Sequence, residues 1–109
     1  MGTHEYEEDP RNSDVWISIN GELYRRDNAK ISVFDAGFLL GDGVWEAFRL
    51  HRGKLVFLDD HLQRLFHGAQ VIALDIGRTK KEIIDEIERV IEANQMVDDV
   101  HIRLIVSRG

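Results

Sequence analysis

The spacing of apolar residues changes period along the chain, and each change predicts an element. Val15, Ile17 and Ile19 alternate with Trp16 and Ser18, the two-residue repeat of a strand. Asn20-Gly21 follows, a dipeptide suited to a tight hairpin because both central residues must take positive φ, and Glu22 to Arg25 is the returning strand. Ile31 to Val33 is a candidate short edge strand. Between Asp35 and Gly43 the glycines interrupt any regular pattern. Alternation resumes from Val44 to His51, with Val44, Glu46, Phe48 and Leu50 on one side and Trp45, Ala47, Arg49 and His51 on the other. Arg52-Gly53 turns the chain and Lys54 to Phe57 returns it, a second hairpin.

The period then lengthens. Leu58, Leu62, Leu65, Ala69 and Ile72 recur at three and four residues, with Phe66 beside them, and predict an amphipathic helix. Asp59 and Asp60 fall in its first turn, where the helix dipole favours negative charge. Thr79-Lys80-Lys81-Glu82 is a capping box that opens a second helix through Ile83, Ile84, Ile87, Val90 and Ile91, to about Asn94. Val100, Ile102, Leu104 and Val106 alternate again and predict a last strand that rejoins the earlier sheet. The expected fold class is α+β: an antiparallel sheet of two hairpins plus a C-terminal strand, with two amphipathic helices packed on one face. Residues 1–14, acidic and holding the single proline, are expected to be a flexible tail, and 15–109 a single domain.

Composition narrows the function classes. The chain of 109 residues carries a net charge of −6, which argues against a nucleic-acid binder. No apolar run reaches the roughly 18 residues of a membrane span, and the first residues lack a signal-peptide pattern. There is no cysteine for a disulfide or thiolate metal site, and the histidines show no metal-ligand spacing. A cytoplasmic protein with no membrane or nucleic-acid partner and no metal is expected.

Three features carry candidate chemistry. Arg64 lies beside the apolar stripe of its helix; it is either a surface arginine covering the core edge or an anion clamp, since a guanidinium matches phosphate oxygens. Arg103 sits between apolar neighbours on a strand; it faces solvent unless a second layer covers that side, in which case it can hold a carboxylate. Gly41-Asp42-Gly43 reads by itself as a hairpin turn and lacks the pattern of a phosphate-binding P-loop.

Together these segments resemble a known family. The run from Ser32 to Glu46 (SVFDAGFLLGDGVWE), then Gly53 to Leu58, His61-Leu62-Gln63-Arg64-Leu65, His101-Ile102-Arg103-Leu104 and Ser107-Arg108-Gly109 are similar, in order and spacing, to the N-terminal small domain of fold-type IV pyridoxal-phosphate aminotransferases. This family includes the branched-chain and D-amino-acid aminotransferases. The resemblance implies a homodimeric enzyme that uses pyridoxal 5′-phosphate to move an amino group between an amino acid or amine and a 2-oxo acid. It implies that Arg64 binds the cofactor phosphate, and that Trp45, Ala47, Arg103, Phe38 and Leu40 face the substrate. Many members carry a tyrosine in the loop that here holds Phe38 and Leu40, and this chain has none there. The resemblance places the catalytic lysine in a C-terminal catalytic domain beyond Gly109, so no catalytic residue is expected in this chain. An aminodeoxychorismate lyase-like enzyme is the alternative within the family, and a non-catalytic binding module the alternative outside it.

Overall fold

The computed structural model describes residues 9–109. The chain divides into two compact units, residues 1–30 and 31–109. The first holds the hairpin of β1 (Trp16–Ile19) and β2 (Glu22–Arg25), which turns at Asn20 and Gly21 with φ of 53° and 84°. Both values are left-handed, as the tight hairpin requires. Arg25 stacks on the Trp16 ring at 3.8 Å. Of the segment expected to be a loose tail, residues 1–8 lie outside the described part. Pro10–Asn12 forms a 3-10 turn capped by the Asp9 side chain, and the Arg26 side chain donates to Asn12 O at 2.8 Å.

The second unit contains α1 (Ala36–Leu40), β3 (Gly43–His51), β4 (Lys54–Leu55), α2 (Leu58–Val71), α3 (Lys80–Asn94) and β5 (Val100–Ser107). Its sheet has the order β4-β3-β5, with both pairings antiparallel. The α+β class and the return of the last strand agree with the sequence. The single sheet does not: the first hairpin forms a separate two-stranded sheet. Alternation tells which side chains share a face, but it leaves open which strands exchange hydrogen bonds.

Two further expectations fail for local reasons. Ile31 to Val33 is not a strand, because the Ser32 hydroxyl accepts the Phe34 N–H at 3.0 Å and Ser32 O the Asp35 N–H at 3.1 Å, which turns the chain. The return of the second hairpin is only Lys54–Leu55, since Phe57 takes a φ of 54° and starts α2. In addition, α1 is a helix of 5 residues around Gly37, too short to show a period.

The core lies between the sheet and both helices. Phe48 from β3, Leu62 and Leu65 from α2, and Ile83 and Ile87 from α3 are buried together, with Ile102, Leu104 and Val106 of β5 packed against them. The capping box at Thr79 and Glu82 is present with both of its hydrogen bonds. Where the connector to β5 meets the second hairpin, Asp98 accepts the Arg52 N–H at 2.8 Å and Val97 O the Gly53 N–H at 2.7 Å. No helix of the described residues is long and apolar enough to cross a membrane.

Candidate active site

Alternation along β3 sorts the candidate residues onto two faces. Glu46 points inward with Phe48 and Leu50, and is only 2% exposed. Trp45 points outward and is 62% exposed. Across the pairing to β5, Ala47 lies opposite Arg103 and Trp45 opposite Ile105. Trp45, Ala47 and Arg103 therefore share the face away from the helices, and the Arg103 guanidinium lies 5.4 Å from the Trp45 ring centroid. The shared face leaves Arg103 exposed, its side chain bracketed by Trp45 and open to a carboxylate.

Arg64 stands apart from these three. It projects from α2 and bonds Glu46 on the opposite face: Nε donates to Oε1 at 2.5 Å and Nη2 to Oε2 at 2.8 Å. His61, one turn earlier on α2, places Nδ1 2.8 Å from Oε2. The Arg64 guanidinium beside Glu46 holds its carboxyl below the usual carboxylate range, against the opposing effect of burial and with help from His61. An ionised carboxylate only accepts, so the shared hydrogen sits on His61 Nδ1. The His61 ring in turn makes a T-shaped contact with Phe48, with centroids 5.3 Å apart and planes at 77°. The arginine side chain remains 72% exposed.

The sign of this shift gives a test. A carboxyl whose folded value is depressed stabilises the fold above its ordinary value of 4.5, and that contribution is lost as pH falls through the lower folded value. Between about pH 5 and pH 2, wild type is expected to lose more stability than Glu46→Gln, which cannot titrate. Denaturant midpoints measured across that range check this, and parallel acid profiles would refute it. Other acidic groups titrate in both proteins, so the difference between the profiles isolates Glu46.

The glycine-marked motif packs against the chain end of β5. Ser107 Oγ donates to Asp35 Oδ1 at 2.6 Å, and Ala36 N to Gly109 O at 2.9 Å. Arg108 bonds Asp42 at 2.7 Å and reaches Ile72 O, at the C-terminal end of α2, also at 2.7 Å. A Cβ at Gly43 would sit 2.5 Å from Val106 O, so only glycine lets β3 approach β5 here. Gly41-Asp42-Gly43 is thus not a hairpin turn; it closes α1, holds Arg108 and enters β3. Phe38 and Leu40 lie on α1 and are 58% and 79% exposed, with Leu39 and Phe34 exposed beside them.

Glu46 and His61 were missed as site residues. A signal existed: a glutamate on an inward strand face needs a partner. His61 and Arg64, three apart on a helix, present two donors from one side.

Known proteins give this arrangement its context. The family described as amino-transferase class IV matches residues 43–109. The chain is 39% identical over 100 residues to branched-chain-amino-acid aminotransferase-like protein 1 of Arabidopsis thaliana, covering 92% of this chain and 18% of that protein. It is 35% identical over 82 residues to a D-alanine aminotransferase of Staphylococcus epidermidis, covering 75% of this chain and 29% of that one. Among solved structures, a branched-chain aminotransferase of the archaeon Thermoproteus uzoniensis, crystallised with norvaline, superposes with a TM-score of 0.77 at 27% identity, over 84% of this chain and 32% of that one. The chain spans less than a third of the length of each of these relatives. With its motifs in register and the fold in common, the chain belongs to the class IV aminotransferase family.

Proposed function

We propose that this chain is the small domain of a pyridoxal-phosphate-dependent aminotransferase acting on branched-chain-like amino acids and their 2-oxo acids. When bound, pyridoxal phosphate supplies the electron sink for moving the amino group. The residues present fit its phosphate. Arg64 offers an exposed guanidinium, and Glu46 engages only Nε and Nη2, so the Nη1 edge has no partner among the described residues. That free, pre-set edge is the observation that carries the proposal.

Within this reading Arg103 and Trp45 face the substrate: the guanidinium takes a carboxylate and the indole lines an apolar wall. Ala47, small, directly opposite Arg103 and two residues along β3 from Trp45, leaves room beside the sheet. The relative with the greater identity of the two compared bears a branched-chain name, which favours that substrate class over D-alanine. The complete protein is a cytoplasmic homodimer in which a C-terminal catalytic domain closes the site. Phe38, Leu39 and Leu40, consecutive and exposed, are the surface offered to that domain or to the second subunit.

In the full-length protein, Arg64→Ala is expected to weaken pyridoxal phosphate binding by about tenfold or more, because a charge-assisted contact to the phosphate is lost. Titration of the apo-protein followed by absorbance measures it. Unchanged affinity would remove Arg64 from the cofactor site.

A further inference from the structure

We infer that Glu46 is the positioning residue for Arg64: the buried carboxylate, held from its other side by His61, sets the plane in which the guanidinium meets a phosphate monoester. The inference rests on the reading of Arg64 as the phosphate anchor and extends it to the two residues that hold that arginine in place.

Burial comes first. Glu46 occupies an inward position between Val44 and Phe48, where an apolar side chain of similar size would serve the core at least as well. A charge placed there needs strong compensation, and it receives three donors: Arg64 Nε, Arg64 Nη2 and His61 Nδ1. No buried side-chain polar atom among the described residues lacks a partner.

Geometry comes second. Two parallel N–H···O bonds fix both the direction and the plane of a guanidinium, which a single contact does not. Arg64 is long and its side chain 72% exposed, so without this fork it would populate many rotamers. Glu46 engages two of the five guanidinium N–H groups and leaves three on the outer edge, enough for two acceptor oxygens of a dianion. His61 serves the same end from behind. Its bond to Oε2 and its edge contact with Phe48 tie the carboxylate to the rigid core rather than to solvent.

The test compares ligands that differ only in the phosphate. In the full-length apo-protein, Glu46→Gln is expected to weaken pyridoxal 5′-phosphate about tenfold and to leave pyridoxal nearly unchanged, with inorganic phosphate competing less well in the variant. In an Arg64→Ala background, Glu46→Gln should cost no further affinity, since both act through one contact. Equal losses for the two ligands would reduce Glu46 to a structural residue and overturn the inference. If Arg64→Ala itself leaves phosphate-dependent affinity intact, the assignment of Arg64 fails first, and the two failures are distinguishable. Should Glu46→Gln not fold, Arg64→Lys answers the same question on an exposed position. It keeps the charge but loses the fork, so phosphate selectivity should fall nearly as far as with alanine. Full affinity in the lysine variant would show that orientation by Glu46 is unimportant.

Discussion

Mixed with pyridoxal phosphate, an amino donor and a 2-oxo acid, the 109-residue chain by itself is expected to show no turnover and no stable, borohydride-trappable lysine adduct. Aminotransferase chemistry needs a lysine amine that is both near the cofactor and able to shed its proton near neutral pH. Desolvation or a neighbouring cation provides that by lowering the pKa. None of the four lysines is desolvated by burial. Lys30 follows the first hairpin, Lys54 leaves the tight turn of the second, and Lys80 and Lys81 open α3; all four are exposed. Lys81 is pushed the wrong way, since its bond to the Asp85 carboxylate raises its pKa and favours the ammonium form. Arg64 retains its charge in the isolated chain, so weak phosphate binding is compatible with complete inactivity. Absorbance spectra with added cofactor, followed by borohydride reduction and peptide mapping, measure the outcome. A single modified lysine together with amino-acid-dependent turnover would sink both the prediction and the assignment of this chain as a small domain.

Periodicity made most of the second unit legible. The inward set Val44, Glu46, Phe48 and Leu50 and the helix stripe Leu58, Leu62, Leu65 and Ala69 were readable because burial on one face forces regular spacing. The capping box placed the start of α3 at Lys80, because Thr79 and Glu82 satisfy each other's backbone donors there. What stayed hidden depends on contacts between distant residues. Ser107 with Asp35 and Arg108 with Asp42 are 72 and 66 residues apart, so no local pattern announces them. The same holds for Arg64. Its neighbourhood in sequence reads first as a surface arginine, with an anion clamp as the alternative, and it is Glu46, 18 residues earlier on another element, that restrains it. The family pattern supplied roles for Arg64, Trp45 and Arg103, yet it gave no hint that Arg64 lies on the opposite side of β3 from the other two.

Phe48→Ala is expected to damage both the core and the proposed support of Arg64, because Phe48 packs in the one and against His61 of the other. Phe48 is fully buried, at 0% exposure, in the centre of the cluster formed by Leu62, Leu65, Ile83 and Ile87. Removing a buried phenyl ring costs about 3–5 kcal/mol, the sum of lost transfer energy and the cavity left behind. Domains of this size have only about 5–15 kcal/mol in total, so the variant should be largely unfolded well below the wild-type melting temperature. A second consequence follows for whatever fraction stays folded. The His61 ring loses the aromatic partner that now lies 5.3 Å away, and with it part of the support for Glu46 and Arg64. Phosphate affinity should therefore fall in Phe48→Ala even at temperatures where the protein is folded. Phe48→Leu separates the two effects. It restores most of the buried volume and should recover most of the stability, but it offers no aromatic ring to His61 and should recover less of the phosphate affinity. Urea unfolding and cofactor titration on the same two variants measure both quantities. Stability and affinity returning together in the leucine variant would show that packing volume, and not the aromatic contact with His61, supports the clamp.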